Sequence, residues 1–161
     1  MIVVADTSVI LNLCCVKHER LLQQLYLRVL IPAPVADEFV RLSKTQSRFL
    51  GLALPDWIEI LPAPKSFPAE VIQAQLDIGE SAAIALCQEQ KADALLVDEM
   101  LGREVAKRLR IRTIGILGIL MDARNQKLIG SVKALLDRLE SEANFWISPT
   151  LRFRILQLAG E

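Results

Sequence analysis

Short continuous apolar runs alternate with amphipathic segments along the chain. The apolar runs predict buried strands at residues 2–5, 29–31 and 94–97, with weaker candidates at 57–61 and 113–114. Apolar residues at helical spacing predict helices in the remaining segments: one through residue 27 with a break near Lys17, then 35–42, 69–76, 80–91 after a separating Gly79, and 101–110. Such strands between helices are typical of a parallel sheet covered on both faces. The predicted fold class is therefore α/β.

The length of 161 residues fits one domain with a proper core and is too short to indicate two. The last part of the chain continues in three segments of helical character, GILGILMDARNQ, SVKALLDRLESEA and SPTLRFRILQLAGE. The last of them begins with Ser148 at the N-cap position and Pro149 in the first turn. We therefore expect residues 1–161 to form a single domain with additional carboxyl-terminal helices.

Composition and charge narrow the classes of function. Lysine plus arginine and aspartate plus glutamate number 19 each, so a polyanion would have to bind a local patch rather than a global basic field. Cys14, Cys15 and Cys87 lack the spacing of a zinc site or a disulfide framework. His18 is the only histidine, which disfavours Ser-His-Asp and Cys-His catalysis. No apolar run approaches the roughly 20 residues of a membrane span, and the amino terminus lacks a signal-peptide pattern, so we expect a cytoplasmic protein.

Two of the predicted strands run directly into an aspartate. Asp6 follows the run IVVA, and Asp98 follows the run ALLV. Because ligands of an open parallel sheet bind beyond the carboxyl ends of its strands, we expect both carboxylates in that crevice. Each position also has an ordinary structural explanation. Asp6 could cap the following helix, and Glu99 beside Asp98 could pair with Arg103 on an exposed helix face.

Two further acids lie on predicted helices beside apolar positions. Glu38 lies three residues after Val35 and four before Leu42, at the border of the inward face of its helix. Glu80 heads an apolar stripe, where a carboxylate is costly to bury unless it is paired or bound to metal. The alternative explanation for Glu80 is a capping box formed with Asp77.

Four acids from separate segments could therefore converge at one crevice: Asp6, Glu38, Glu80 and Asp98. Carboxylates a few ångströms apart raise one another's pKa values unless a cation neutralises them. An all-oxygen cluster without histidine suits magnesium or manganese rather than zinc. A hard ion held in this way favours phosphodiester hydrolysis. Thr7 and Ser8, which follow Asp6, could hydrogen-bond a carboxylate or a phosphate in support of such a site.

Taken together, these segments resemble PIN-domain proteins, in the group related to VapC-type toxin ribonucleases. The matching segments are VVADTSVILNL with Asp6, PAPVADEFV with Glu38, LDIGESAAIALCQEQKADALLVDE with Glu80 and Asp98, and GREVAKRLRIRTIGILGIL. The resemblance covers about residues 1–130. Residues 131–161 resemble a carboxyl-terminal helical extension found in one branch of the group.

The resemblance implies a three-layer α/β/α sandwich with a central parallel sheet, and a Mg²⁺- or Mn²⁺-dependent endoribonuclease that cleaves single-stranded or structured RNA. It also implies a homodimer that acts as the toxin of a toxin-antitoxin pair and is held inactive by a small antitoxin protein. Asp6, Glu38 and Glu80 match the first three acids of the family. At the fourth position either Asp98 or Glu99 could be the metal ligand, and Asp98 is favoured because it directly follows the strand.

A basic stretch begins close to the proposed site and comprises Arg103, Lys107, Arg108, Arg110 and Arg112. A solvated helix face accounts for it, but Arg103 and Lys107 could also contact RNA phosphates. Trp57 and Trp146 are expected to pack rather than to stack on bases. A P-loop NTPase is disfavoured because no GxxxxGK[ST] motif follows any strand. The main alternative to a nuclease is a PIN-like fold that serves as a non-catalytic module for binding nucleic acid or protein.

Overall fold

The computed structural model describes residues 1–161 as five strands and nine α-helices. The strands are β1 Ile2–Ala5, β2 Arg28–Pro32, β3 Glu59–Leu61, β4 Ala94–Leu96 and β5 Thr113–Ile114. The helices are α1 Thr7–Cys15, α2 Arg20–Leu25, α3 Ala33–Thr45, α4 Ala69–Ala74, α5 Ile78–Glu89, α6 Met100–Arg108, α7 Ile116–Asn125, α8 Val132–Ala143 and α9 Pro149–Leu158, with a short 3-10 turn at Ser47–Phe49. None of the helices has the length and apolar character needed to span a membrane.

All five strands are parallel and lie in the order β3-β2-β1-β4-β5. Helices α4, α5 and α6 contact one another in one layer, while α1, α2, α7 and α8 contact one another in a second, and α3 contacts both α1 and α5. The chain adds strands on one side of β1 as far as β3 and then on the other side of β1. Because crossovers between parallel strands are right-handed, this change of side places the helices on opposite faces of the sheet. The predicted three-layer α/β/α sandwich with a central parallel sheet is confirmed.

The two central strands owe their continuous apolar sequence to burial on both faces. Val3, Val4 and Ala5 of β1 have no exposed surface, and β4 is buried along its whole length. The register pairs Ala5 with Leu96, and the backbone N–H of Asp6 donates a 2.9 Å hydrogen bond to the carbonyl of Leu96. The carboxyl ends of β1 and β4 are therefore joined directly beside Asp6.

The reversal of chain direction occurs between β1 and β4. From β1 the chain proceeds outward to β2 and β3, and it then returns to the other side of β1 to form β4 and β5. The connections after β1 and β4 consequently diverge at their carboxyl ends and leave a crevice there, which is where ligands of open parallel sheets bind.

Helix boundaries differ from the sequence-based predictions by a few residues, and the start of α5 is the difference that bears on the site. Gly79 lies inside the first turn of α5 instead of separating two helices. The helix begins earlier because the Oδ1 atom of Asp77 accepts a 2.8 Å hydrogen bond from the backbone N–H of Glu80, which caps the amino-terminal end. The preceding helix ends at Ala74, followed by Gln75 in a left-handed conformation with φ of 53°.

The last two helices are attached in different ways. Helix α8 contributes buried apolar residues to the core, namely Val132, Leu135, Leu136, Leu139 and Ala143. Helix α9 has no fully buried residue, but Ile155 and Leu156 are partly buried and pack against the core, and polar contacts hold the helix as well. The guanidinium of Arg152 forms ion pairs with Asp137 and Glu140 of α8. At the other end of α9, the Glu161 carboxylate accepts hydrogen bonds from the Ser131 hydroxyl at 2.6 Å and the Val132 N–H at 2.8 Å.

We predict that Glu161→Ala lowers the melting temperature in a pH-dependent way. The hydrogen bond from Ser131 and the amides of α8 lower the pKa of Glu161 below its ordinary value of 4.5. Because a lowered pKa means that the folded state favours the ionised carboxylate, this stabilisation is present above the ordinary value and is lost as the pH falls through the folded-state pKa. Thermal melts should give the full difference from the parent protein at about pH 7, and the difference should shrink as the pH is lowered below 4.5.

Glu89→Ala is the matched control, since Glu89 is an exposed glutamate without a hydrogen-bond partner at the end of α5. It should leave the melting temperature nearly unchanged across this pH range. A Glu161→Ala effect of the same size across the range would contradict the role assigned to the ionised carboxylate.

Candidate active site

Asp6 is buried where β1 passes into α1, with 5% of its surface exposed. It occupies the N-cap position of α1, but its side chain makes no capping hydrogen bond with the helix. Burial is the main reason that the pKa of Asp6 is raised to about 7, the charges of Glu38, Asp77 and Glu99 contribute to this rise, and the Thr7 N–H opposes it. The carboxylate is thus buried among other acids without a cationic partner.

Glu80 lies in the first turn of α5, and its side chain faces the same crevice. Its backbone N–H donates a hydrogen bond to the Asp77 side chain, and this bond is one half of a capping box. The other half, a hydrogen bond from the Asp77 N–H to the Glu80 carboxylate, is not formed. The Oε2 atom instead lies 3.0 Å from the position that a Cβ on Gly102 would occupy. Burial raises the pKa of Glu80 above its usual range, and the charges of Asp77 and Asp6 add to the effect. Capping therefore accounts for the backbone of Glu80 but not for its carboxylate, which lies against the Asp77 side chain and is not used to cap the helix.

Glu38 reaches this crevice from α3, where it is half-buried, while the neighbouring Asp37 is exposed. Its Oε2 atom lies directly over Gly79 of α5. Burial and the charge of Asp77 raise the pKa of Glu38, and Arg41 partly opposes this. The close contact between α3 and α5 thus places the Glu38 carboxylate against the first turn of α5 and within reach of the charge of Asp77.

The two acids after β4 have different surroundings. Asp98 is half-buried, and its Oδ1 atom accepts a 3.0 Å hydrogen bond from the N–H of Ile116, the first residue of α7, while Oδ2 is buried without a partner. Burial raises the pKa of Asp98, although the Ile116 N–H and Arg103 counteract it. Glu99 is exposed, but its charge raises the pKa values of both Asp6 and Glu80.

Five acids therefore interact electrostatically, and we refer to them as the acidic cluster: Asp6, Glu38, Asp77, Glu80 and Glu99. Asp77 was not among the site residues predicted from the sequence, because its capping role accounts for its position completely. Asp98, which was among them, borders the cluster and interacts with Glu99.

The donor chemistry of the acidic cluster fits a hard divalent cation. All the donors are carboxylate oxygens, and burial and mutual repulsion raise the pKa values of Asp6 and Glu80. Beside them, the hydroxyl oxygen of Ser8 is buried without a hydrogen-bond partner, and the buried hydroxyl of Thr7 lies next to the Glu38 carboxylate, where it lowers the Glu38 pKa. In this side-chain arrangement no three His, Cys, Asp or Glu side chains converge closely enough to hold a metal ion. A closed ligand shell would therefore require rotation of the longer side chains.

Three hollows meet beside the cluster, and Asp98 and Met100 line all of them. A hollow of about 380 Å³, which includes Ser8, Glu38 and Glu99, opens onto the acids, and we call it the acidic hollow. A hollow of about 700 Å³ lies between the start of α7 and α9, and we call it the apolar hollow. The third, of about 560 Å³, is lined by Arg103 and Lys107, both exposed on α6.

The expectation that both tryptophans pack inside the protein was wrong for Trp146. Trp57 is half-buried and packs against the core, but 80% of the Trp146 surface is exposed. Composition and local pattern do not distinguish these two tryptophans, because the exposure of Trp146 depends on how the segment between α8 and α9 crosses the surface.

These features define an α/β/α protein with an acidic crevice at the switch point of its parallel sheet. A family profile described as PIN domain matches residues 2–161, so the chain belongs to the PIN-domain family and has a fold of nuclease type. The family assignment made from the sequence motifs is confirmed. A search of curated proteins found no match to this chain.

We predict that Gly79→Ala weakens binding of Mn²⁺ without destabilising the protein. A methyl group at this position would collide with the Oε2 atom of Glu38, the end of a flexible side chain that can move aside. Alanine is also favoured over glycine within a helix by about 0.5–1 kcal/mol. Calorimetric titration should show a several-fold loss of affinity for Mn²⁺, while the melting temperature stays the same or rises.

The matched control is Gly130→Ala, because a Cβ at Gly130 meets no atom within 4 Å. This variant should bind Mn²⁺ as the parent protein does. Parental affinity in Gly79→Ala would mean that the position of the Glu38 carboxylate does not matter for metal binding.

Proposed function

We propose that this protein is a metal-dependent endoribonuclease that hydrolyses RNA phosphodiester bonds with Mg²⁺ or Mn²⁺. The observation that carries the proposal is the placement of Asp6 and Glu80 in one crevice, where the charge of Asp6 helps to raise the pKa of Glu80. Carboxylates arranged in this way are ionised together at neutral pH only when a cation neutralises them. Membership of a family with a nuclease-type fold supports the same conclusion.

The acidic side chains have two roles in this proposal, namely holding the metal ion and accepting a proton. Asp6 and Glu80 hold the ion together with an acid that follows β4, either Asp98 or Glu99. When bound, Mg²⁺ or Mn²⁺ activates a water molecule and stabilises the charge that develops on the phosphate. The carboxylate of Glu38, whose pKa is raised by burial and by the charge of Asp77, is placed to accept a proton from the attacking water. Its negative charge acts on Asp6 and therefore also favours binding of the cation.

Neutral and basic groups around the acids complete the proposed site. The Ser8 hydroxyl is buried and unpartnered, and the buried Thr7 hydroxyl lies beside the Glu38 carboxylate. Both can donate hydrogen bonds to a metal-bound carboxylate or to a phosphate oxygen. Arg103 and Lys107 line the hollow next to Asp98, where their charges can contact phosphates flanking the scissile bond.

The biological setting that we propose is a toxin-antitoxin pair in the cytoplasm. The support is the resemblance of the acidic motifs to VapC-type toxin ribonucleases. In this setting the protein is a homodimer and a small antitoxin protein blocks the acidic crevice.

A second candidate is a non-catalytic PIN-like module that binds nucleic acid or protein. The observation in its favour is that no three acidic side chains converge closely enough to hold a metal ion. The two candidates differ in one measurable property: a nuclease must bind Mg²⁺ or Mn²⁺ in the crevice, and a binding module need not.

We predict that Glu80→Gln abolishes metal-dependent RNA cleavage but changes the melting temperature of the metal-free protein little. The helix cap is retained because the Glu80 backbone N–H, and not its side chain, donates to Asp77. Cleavage of a mixed RNA pool in Mn²⁺ should fall by about 100-fold or more. The rise in melting temperature on adding Mn²⁺ should also shrink, because fewer carboxylates hold the ion.

Glu89→Gln, at the exposed end of the same helix, is the control and should cleave normally. EDTA should stop cleavage by the parent protein. Normal cleavage by Glu80→Gln would remove Glu80 from the site, and a parent protein that neither binds Mn²⁺ nor cleaves RNA would favour the binding module.

The acids after β4 provide a further prediction about the identity of the remaining metal ligand. We expect Glu99→Gln to weaken Mn²⁺ binding more than Asp98→Asn does, because the charge of Glu99 acts on both Asp6 and Glu80. We expect Asp98→Asn to change the melting temperature little, because the amide oxygen of asparagine can still accept the hydrogen bond from the Ile116 N–H. Glu104→Gln, an exposed position on α6, controls for loss of charge. If Asp98→Asn causes the larger loss of metal affinity, Asp98 is the ligand.

A further inference from the structure

The exposure of Trp146 is imposed by the backbone around it. The segment between α8 and α9 begins at Asn144, which adopts a left-handed conformation, and the N–H of Phe145 donates a 3.0 Å hydrogen bond to the carbonyl of Leu139. Phe145 packs against the core and Ile147 is buried, so the residue between them is directed outward. Trp146 is therefore held outward by anchored neighbours on both sides.

Trp146 stands at the boundary between two of the hollows beside the acidic cluster. It lines the apolar hollow and the acidic hollow, and both also contain Asp98, Met100 and Phe145. The acidic hollow includes Glu38 and thus opens onto the proposed catalytic acids. A molecule that contacts the face of Trp146 is consequently next to the site of cleavage.

The apolar hollow combines features that suit a nucleobase attached to a phosphate. Its apolar wall includes Leu117, Met121 and Ile155. Its charged residues are Arg103 and Arg112, which can contact a phosphate, and the aspartates Asp98 and Asp122. Its volume of about 700 Å³ lies within the range of small-ligand pockets. An apolar wall excludes a phosphate but accepts a flat base, and the guanidinium groups can contact the phosphates beside it.

We propose that Trp146 stacks on an unpaired nucleobase of the RNA beside the scissile phosphate. The base occupies the apolar hollow, and Arg103 contacts the adjoining phosphate. This inference rests on the proposed nuclease function and restricts its substrate class, because a base paired within a duplex cannot present its face to the tryptophan. Sequence preference is weak at this position, since every base has a face that can stack.

Fluorescence of Trp146 measures the stacking directly. The chain has two tryptophans, so Trp57→Phe leaves Trp146 as the only one. The Trp57→Phe/Glu80→Gln double variant is titrated in EDTA with an oligouridylate and an oligoadenylate of about 12 nucleotides. Both the Glu80→Gln substitution and EDTA prevent cleavage of the RNA during the titration. Both single strands should quench the fluorescence, and a duplex RNA of equal length should quench it much less.

Trp146→Leu keeps an apolar side chain but removes the aromatic ring. In the Glu80→Gln background, binding of a labelled oligouridylate should weaken by roughly 5- to 150-fold, as expected for the loss of one stacked base. Phe153→Leu is the matched control, because Phe153 is another exposed aromatic, 71% exposed on α9, that lines neither of the two hollows. This control should bind RNA normally.

The cleavage assay separates failure of this inference from failure of the proposed function. Without other changes, Trp146→Leu should raise the KM for single-stranded RNA with little change in melting temperature, while Glu80→Gln removes cleavage and retains Trp146 quenching. If Trp146→Leu has a normal KM and a normal RNA affinity while cleavage still depends on Glu80, the stacking proposal is overturned and the proposed nuclease function stands. The stacking proposal would also be overturned if Trp146 fluorescence changed on self-association of the protein and did not change on adding RNA. That result would assign the exposed face of Trp146 to contacts between copies of the protein.

Discussion

Repulsion among carboxylates at the carboxyl edge of the sheet is the constraint that the rest of the structure has to satisfy. Acids that are buried beside other acids are unfavourable in any fold, and here burial, with a smaller contribution from the neighbouring charges, raises the pKa of Asp6 to about 7. They are held together because β1 and β4 are buried on both faces and joined by the hydrogen bond from Asp6 to Leu96. The stability of the apolar core thus maintains an arrangement that the charges themselves disfavour.

The helices around the crevice contribute to the two sides of the site in different ways. Helices α3 and α5 contact each other closely and supply Glu38 and Glu80, with Gly79 allowing the carboxylate of Glu38 to lie against the backbone of α5. On the other side, the first amide of α7 holds one oxygen of Asp98, and Arg103 lies nearby. The side with α3 and α5 is therefore rich in carboxylates, while the side with α6 and α9 carries basic and aromatic groups. On the proposed function, the first holds the metal and the second holds the nucleic acid.

Much of the fold and several features of the site could be predicted from the sequence. The continuous apolar runs identified the central strands, because residues buried on both faces must be apolar wherever the strand lies. The acids following β1 and β4 stood out for the same reason, since a carboxylate directly after such a run requires a polar environment. Gly79 was misplaced because a glycine usually interrupts a helix, and the cap formed by Asp77 prevailed over that preference.

Local periodicity was sufficient to determine the class of fold, the parallel sheet and the segments that bear the acids, because each of these depends on residues near one another in the chain. Only the tertiary structure decided that Asp77 belongs to the acidic cluster, that the charge of Glu99 reaches Asp6, and that Trp146 is exposed beside them. These properties depend on distances between segments that pack against each other from distant parts of the sequence. Electrostatic coupling and exposure are set by that packing, and no local pattern of residues contains it.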